Sequence, residues 1–281
     1  MLKEKETLTS RQNPTVKRVC ALSEKKARRA QGLFRFDGVK LLREALAKRV
    51  SIRYVVLRES ACDMLENELC GAVAEGRLGN ETIVKVSDQV FEKMSEERSP
   101  EGVITVAEML TDRHRAFGAE EAREYTLPRG ESLLIAEALR DPGNLGTVIR
   151  SCAALGIDRL LISDDCADLY SPKTVRAAMG GIFSLKTDVV PTESLPDAVA
   201  SLRKSGRRIY ATALHERALS VGELALETGD CFVIGNEGHG LSPRLIAACD
   251  ACAVIPMTEG SESLNAAAAA AICIWETVRR K

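Results

Sequence analysis

Short, almost wholly apolar segments alternate with helical patterns throughout the second half of the chain. Segments such as 158–163 (DRLLIS) and 230–235 (DCFVIG) do not show the apolar/polar alternation of a strand with one face in water. Strands buried on both faces are typical of parallel sheets with helices on each side. The pattern predicts an α/β fold whose C-terminal part is a mostly parallel sheet with helices on both faces.

Composition restricts the class of protein further. The chain has 281 residues, 45% hydrophobic and 28% charged, which suits one large or two ordinary domains and excludes a disordered or fibrous protein. The charged start does not resemble a signal peptide, and the apolar run 264–275 is too short to span a bilayer. We therefore expect a cytoplasmic protein with no membrane segment.

Nine cysteines are scattered without a repeating spacing, which indicates reduced thiols and not a disulfide framework. Cys249 and Cys252 form a C-x-x-C pair, but no second pair and no suitably spaced histidine accompanies it. No metal site is expected.

The charge is unevenly distributed along the chain. Residues 1–58 contain 16 Lys and Arg against 5 Asp and Glu, a net charge of +11, so the rest carries −12. A basic front segment is either a polyanion-binding module or a solvated basic helix, and charge alone does not distinguish them. The dense run of Lys25, Lys26, Arg28 and Arg29 favours contact with RNA or DNA.

Four regions follow from these patterns. Residues 1–32 are predicted to be a basic helical segment with one helix over 14–31, and residues 33–110 a small α/β domain. Residues 111–130 are polar and end in Pro-Arg-Gly, which predicts a linker. Residues 131–281 would form the domain with the parallel sheet.

In an open parallel sheet, ligands bind outside the carboxyl ends of the strands. The first loop predicted there, 140–146, precedes a helix predicted over 147–156. Arg150 would lie in this helix and reach back towards Asn144. Either Asn144 holds Arg150 ready for a substrate, or Asn144 caps the helix and Arg150 pairs with a surface carboxylate. The loop alone favours the second interpretation.

Two more loops fall at the same edge of the sheet. In the loop 235–241, three glycines allow a ligand close to the backbone, and Glu237 can accept hydrogen bonds. His239 in this loop is either a general base or incidental. In the loop 257–265, Ser263 and Asn265 precede the last helix, where capping is their ordinary role.

Taken in order, these loops resemble the motifs of the SpoU (TrmH) family of SPOUT-class RNA methyltransferases. The motifs are NLGTVIRSCAALG at 144–156, GNEGHGL at 235–241, and IPM and SLN within 255–265. The segment SPKTVRAAMGGIF at 171–183 also resembles the family. The N-terminal half resembles the family's RNA substrate-binding α/β domain more weakly, through segments 34–46 and 99–106.

The resemblance implies a trefoil knot in domain 131–281, a homodimer whose active site uses both subunits, and S-adenosylmethionine as cofactor. It implies 2′-O-methylation of a ribose in RNA, with 23S rRNA favoured because of the basic N-terminal region. A tRNA substrate and a non-catalytic RNA- or ribosome-binding protein are the alternatives.

The resemblance also assigns residues. It implies catalytic roles for Arg150, Asn144, Glu237, Ser263 and Asn265. It implies cofactor contacts from Ile234, Gly235, Asn236, Gly238, Ile255, Pro256, Met257, Ser263 and Leu264. Candidate RNA contacts are Lys25, Lys26, Arg28, Arg29 and Arg176.

Two departures from the family pattern occur in the third loop. Glu259 stands where many relatives have glycine, with Gly260 next, and residues 266–271 are all alanine. We expect the turn to be shifted, with Asn265 retained.

Overall fold

A computed structural model describes residues 5–258 and 263–279. Its strands are β1 (Thr7–Leu8), β2 (Leu33–Asp37), β3 (Ile52–Arg58), β4 (Ile83–Val86), β5 (Val103–Glu108), β6 (His114–Ala116), β7 (Leu133–Ala136), β8 (Arg159–Ser163), β9 (Lys186–Val190), β10 (Ile209–Thr212), β11 (Leu219–Ser220), β12 (Cys231–Ile234) and β13 (Ala251–Val254). Its α-helices are α1 (Pro14–Ala21), α2 (Lys25–Gln31), α3 (Val39–Ala47), α4 (Cys62–Ala74), α5 (Asp88–Met94), α6 (Ala119–Arg123), α7 (Pro142–Leu155), α8 (Pro172–Ala178), α9 (Leu195–Lys204), α10 (Pro243–Ala248) and α11 (Ala266–Val278).

The chain forms two compact units. The first contains Met1–Leu110 and Tyr170–Phe183, and the second contains Thr111–Leu169 and Ser184–Lys281.

The first unit is built on a five-stranded sheet in the order β1-β4-β3-β5-β2. β1, β4 and β3 run parallel, whereas β5 is antiparallel to both of its neighbours. Successive residues of β3 point to opposite faces: Val55 and Leu57 belong to the core that includes Leu65 of α4, and Val56 to the core that includes Phe91 of α5. The small N-terminal α/β fold predicted from sequence is confirmed.

The helix predicted over residues 14–31 is in fact two helices. α1 ends at Ala21 and α2 begins at Lys25. The break is stabilised by Arg28, whose Nη1 donates hydrogen bonds to the carbonyl oxygens of Leu22, at 2.8 Å, and Ser23. Arg28 is only 3% exposed. The expectation that it contacts RNA is therefore corrected: its guanidinium satisfies carbonyl groups at the end of α1.

Tyr170–Phe183 follows β8 in the chain yet groups with the first unit. The ring of Phe183 packs on Phe36 with centroids 5.2 Å apart, and the ring of Tyr170 packs on Phe34 at 4.8 Å. The Tyr170 hydroxyl also accepts a hydrogen bond from the Leu110 amide over 2.9 Å. α8 begins at Pro172, with Ser171 as its cap.

The second unit contains an eight-stranded sheet in the order β11-β13-β10-β12-β7-β8-β9-β6. Every strand pair in it is parallel, which confirms the predicted fold class. β7 and β12 are neighbours at the centre of the sheet. β8 and β9, which follow β7 in the chain, lie on one side, and β10 and β13 lie beyond β12 on the other. The carboxyl ends of β7 and β12 therefore flank a topological switch point, where open α/β sheets bind ligands.

Residues 111–130, predicted as a linker, carry secondary structure of the second unit. β6 pairs with β9, and α6 follows it. The Tyr125 hydroxyl donates a hydrogen bond of 2.6 Å to Asp188 in β9. Burial, together with the Asp188 carboxylate, raises the pKa of Tyr125 far above its usual value, so the phenol stays a donor. A three-residue polar edge strand has no apolar alternation, which is why sequence patterning missed β6.

Within the described part of the chain, no helix combines the length and the apolar composition needed to cross a bilayer. The trefoil knot implied by the family resemblance stays a prediction.

Candidate active site at the carboxyl edge of the parallel sheet

Polar side chains from three separated loops meet beside the switch point. Asn144 Nδ2 donates a hydrogen bond to Glu237 Oε1 over 2.9 Å. Asn265 Nδ2 donates to Asn144 Oδ1, also over 2.9 Å. The three loops singled out in the sequence therefore converge, and three of the five predicted catalytic residues form one hydrogen-bonded chain.

Asn144 is available for these contacts because another residue caps its helix. α7 begins at Pro142, five residues earlier than predicted, and its cap is Asp141, whose Oδ1 accepts a hydrogen bond from the Asn144 amide at 2.8 Å. The interpretation in which Asn144 caps the helix is therefore wrong. The helix was predicted to start too late because Pro142 and the two glycines after it are typical of a loop. Proline is nevertheless favoured in the first turn of a helix.

Asn265 serves two purposes with one amide group. Its Oδ1 accepts hydrogen bonds from the amides of Ala267 and Ala268, so it caps α11, while Nδ2 reaches Asn144. Asn265 therefore caps α11 and at the same time turns its Nδ2 into the polar cluster, and its catalytic role stays a prediction. Ser263 is exposed and lines the cleft described below. Glu259, the first departure from the family pattern, and Gly260 after it lie outside the described residues.

The glycine-rich loop after β12 folds back on itself. Asn236 and Gly240 form an isolated bridge through two backbone hydrogen bonds of 3.0 Å. Asn236 Oδ1 accepts hydrogen bonds from the amides of Gly238, at 2.9 Å, and His239, at 3.1 Å. A Cβ atom on Gly235 would lie 2.5 Å from the backbone carbon of Gly240, so the loop can close this tightly only with glycine there.

The end of β7 anchors this loop at two points. The Ala138 carbonyl accepts a hydrogen bond of 2.7 Å from Asn236 Nδ2. The buried carboxylate of Glu137 accepts hydrogen bonds from the Ser242 amide, at 2.7 Å, and hydroxyl, at 2.6 Å. Sequence analysis missed Glu137. The signal was a carboxylate inside the apolar segment LLIAEAL, where a buried charge requires partners.

A cleft of about 540 Å³ opens between the glycine-rich loop and the segment that follows β13. Eight of the nine predicted cofactor residues line it: Ile234, Gly235, Asn236, Gly238, Ile255, Met257, Ser263 and Leu264. Pro256 does not. The end of β10 contributes Thr212, Ala213 and Leu214, which sequence analysis did not identify.

The cleft suits a ligand with a flat apolar part and polar edges. Leu214 and Leu264 in its lining are 74% and 42% exposed, and a flat ring could cover that apolar surface. The loop backbone around Gly235–Leu241 supplies polar groups close by. The size and this mixed lining fit a nucleoside-sized cofactor such as S-adenosylmethionine.

Arg150 is exposed on α7, and its side chain has no hydrogen bond or ion pair with any residue that the structure describes. The interpretation in which it pairs with a surface carboxylate is not realised among these residues. Its guanidinium is free to meet a ligand.

The remaining predicted RNA contacts lie in the first unit. Lys25, Lys26 and Arg29 are exposed on α2, in contrast to Arg28. Arg176 is half-exposed on α8 and pairs with Glu97 at 3.3 Å. A surface pair of this kind contributes little stability, so it leaves Arg176 available to a phosphate.

Comparison with known proteins agrees with this geometry. Residues 131–275 match the SpoU rRNA methylase family, and residues 13–105 match the MRM3-like substrate-binding domain. The chain is 28% identical to the 23S rRNA (guanosine(2553)-2′-O)-methyltransferase RlmP of Bacillus subtilis, over 95% of this chain and 97% of that one.

Solved structures give the same result. An AdoMet-bound rRNA methyltransferase from Sinorhizobium meliloti superposes with a TM-score of 0.80 at 29% identity, covering 98% of both chains. The SpoU methyltransferase AviRb from Streptomyces viridochromogenes, in complex with AdoMet, gives a TM-score of 0.75 at 26% identity over 95% of this chain and 98% of that one. The family match spans more than half of the chain and includes all three convergent loops; the protein belongs to the SpoU rRNA methylase family.

Proposed function

We propose that this protein is an S-adenosylmethionine-dependent methyltransferase that modifies a ribose 2′-hydroxyl in rRNA, with 23S rRNA as the favoured substrate. The observation that carries the proposal is the hydrogen-bond chain from Asn265 through Asn144 to Glu237 beside the cleft. The similarity to RlmP and to AdoMet-bound enzymes over nearly the whole chain supports it.

The cofactor would be held mainly by backbone. Gly235 and Gly238 of the glycine-rich loop, together with Ile255 and Leu264, line the cleft and allow a close approach. Bound there, S-adenosylmethionine supplies an electrophilic methyl group on a sulfonium sulfur. The protein must place the ribose hydroxyl in line with that methyl group and exclude water.

Arg150 would act on the ribose oxygen. An arginine stays protonated in proteins, so it serves poorly as a base but stabilises negative charge well. Its free guanidinium suits the oxygen as charge develops there, or the adjacent phosphate. Asn144, Glu237, Ser263 and Asn265 would shape the site around the substrate, and the Asn265 cap makes that arrangement rigid.

A homodimer would complete the site. α7 and α11 pack against each other, and α11 exposes Ile272 (38%) and Trp275 (53%), three residues apart on one face. Exposed large apolar side chains of this kind mark interaction surfaces. A second copy covering α11 would lie next to α7, which carries Arg150. Replacing Trp275 with Glu should then shift the protein from dimer to monomer in sedimentation.

The first unit would bind the RNA. Lys25, Lys26 and Arg29 present positive charge on α2, and Arg176 adds a further guanidinium. Similarity of residues 13–105 to a substrate-binding domain supports this division of labour. A cytoplasmic location is consistent with an rRNA substrate.

The proposal is tested by transfer of label from methyl-tritiated S-adenosylmethionine to unmodified 23S rRNA and, separately, to unmodified tRNA. The RNA is then hydrolysed in alkali, which cannot cleave next to a 2′-O-methyl ribose. Label in alkali-resistant dinucleotides from rRNA is the expected result. Label only in tRNA would contradict the substrate, and cofactor binding without transfer to either RNA would favour a binding protein.

A further inference from the structure

The side chain of His239 is held in a defined orientation within the glycine-rich loop. Its Nδ1 lies 3.3 Å from Asn236 Oδ1, the oxygen that also accepts hydrogen bonds from the amides of Gly238 and His239. Asn236 Nδ2 donates to the Ala138 carbonyl on the other side. Backbone groups on both sides therefore fix which end of the Asn236 amide is oxygen.

That orientation determines the tautomer of the neutral imidazole. A carbonyl oxygen only accepts hydrogen bonds, so the ring nitrogen facing it must carry the hydrogen. His239 then has its hydrogen on Nδ1 and a free lone pair on Nε2. A neutral imidazole with an exposed Nε2 lone pair is a proton acceptor.

His239 also lies at the right place for such a role. It lines the cofactor cleft and a second cleft of about 310 Å³, whose lining includes Glu137, just after β7, and Asp165, shortly after β8. It is two residues from Glu237, which holds Asn144. The imidazole thus borders both the cleft assigned to the cofactor and an adjoining space open to a substrate.

The charged groups around His239 have other partners. Glu237, on the same loop, accepts from Asn144, and Glu137, after β7, accepts from Ser242. In the second cleft, Asp165 accepts from the Ser163 hydroxyl, at 2.7 Å, and pairs with Arg140. No residue in the described part of the chain other than Asn236 has a hydrogen bond with the ring, so Nε2 stays available.

Resting on the proposed function, we propose that His239 Nε2 is the general base that accepts the proton of the target 2′-hydroxyl. As the bond from the ribose oxygen to the methyl carbon forms, the bond from that carbon to sulfur breaks, and its electron pair stays on sulfur. The hydroxyl proton moves to Nε2, giving an imidazolium that later releases it to water. Arg150 is then needed only to stabilise charge on the oxygen.

The first test examines the tautomer in the ligand-free protein. The chain has three histidines, and His215 provides an internal contrast because its Nδ1 accepts a hydrogen bond from the Arg217 amide over 3.2 Å. Neutral His215 must therefore carry its hydrogen on Nε2. Long-range nitrogen–proton NMR spectra of the ring nitrogens should show His239 as the Nδ1–H form and His215 as the Nε2–H form. An Nε2–H form for His239 would overturn the proposal.

The second test measures single-turnover methyl transfer to 23S rRNA transcript at one fixed pH. His239→Gln should lower the rate by about 10²- to 10⁴-fold, because the proton acceptor is lost. His215→Gln should leave the rate unchanged.

Calorimetry with S-adenosylhomocysteine separates this role from a structural one. His239→Gln is expected to bind S-adenosylhomocysteine as the wild type does. A loss of cofactor binding that matches the loss of methyl-transfer rate would show that His239 only shapes the loop. An unchanged methyl-transfer rate would show that His239 has no role in the reaction. Wild-type protein that transfers no methyl group would contradict the proposed function itself, whereas wild-type transfer with an active His239→Gln contradicts only the base.

Discussion

Asn265 and Asn144 are separated by 121 residues in the chain and joined by one hydrogen bond, from Nδ2 of the first to Oδ1 of the second. Asn265 Oδ1 caps α11 at the same time. One side chain therefore links the first turn of that helix to the polar cluster of the site. The orientation of Asn144, and through it that of Glu237, depends on a helix cap.

Asn265→Asp should separate the two functions of this residue. Aspartate caps a helix as well as asparagine does, so the melting temperature should change little. The new carboxylate has no donor for Asn144 Oδ1, and methyl transfer should fall by about 10²-fold. Asn265→Ala should in addition destabilise the protein by about 1 kcal/mol, measured by urea unfolding. Full activity in the aspartate variant would contradict the role of the Asn144 contact.

Arg150→Ala should slow methyl transfer strongly without affecting the fold. The side chain is exposed and unpaired among the residues described, so the free energy of unfolding should stay within about 0.5 kcal/mol of the wild type. The methyl-transfer rate should fall by about 10²- to 10³-fold because a charge-stabilising donor is lost. Normal cofactor binding by calorimetry is the control, and wild-type turnover would reject the assignment.

Gly235→Ala should disrupt the cofactor cleft. A methyl group there would approach the backbone of Gly240 and Leu241 to 2.5–2.8 Å, and the Asn236–Gly240 bridge would have to open. We expect at least about tenfold weaker binding of S-adenosylhomocysteine and a lower melting temperature. Gly238→Ala is the matched control for stability, since its methyl group would meet only Asn236 Oδ1 at 3.7 Å. Equal melting temperatures would contradict the steric argument.

Alanine replacement should lower the stability of the protein at Arg28 but the affinity for rRNA at Lys25. Arg28→Ala leaves two carbonyl groups without their buried donor, and should cost about 2–3 kcal/mol in urea unfolding. Lys25→Ala should leave stability unchanged but weaken rRNA binding and reduce the salt slope of affinity by about one. A salt slope that Lys25→Ala does not alter would place the RNA elsewhere.

A fragment lacking residues 1–110 should aggregate. Tyr170 and Phe183 would lose Phe34 and Phe36, on which their rings pack. Replacing both with serine in the same fragment should restore a soluble species in size-exclusion chromatography. A soluble, unmodified fragment would show that residues 170–183 find other partners.

Much of the architecture follows from local sequence signals. The apolar strands of the second unit are a strong pattern, and the structure has them as predicted. A serine followed by proline is also a strong helix-start signal, and Ser171 and Ser242 cap α8 and α10. Short polar strands such as β6, and the break between α1 and α2, depend on partners distant in the chain. The sequence does not distinguish a buried arginine from an exposed one within a basic run. Only tertiary packing shows that Arg28 is buried.

The site was predictable to a similar degree. The three loops were recognised by their residues, and the order of parallel strands explains why they meet. The exact pairs were not predictable, because Asn144 had two possible roles and the loop alone favoured the capping role, which the structure gives to Asp141. Sequence analysis missed Glu137 and the residues at the end of β10 because they match no motif. They reach the site only because the strands that carry them are neighbours in the folded sheet.

The grouping of Tyr170–Phe183 with Met1–Leu110 also has a consequence for biosynthesis. During translation, the nascent chain emerges with the first sheet complete at Glu108. The rings of Tyr170 and Phe183, which pack on Phe34 and Phe36, follow only about 60 and 75 residues later. The first unit therefore cannot reach its native packing cotranslationally until three strands of the second unit, β6, β7 and β8, have already left the ribosome. Maturation of the two units is thus interleaved in time.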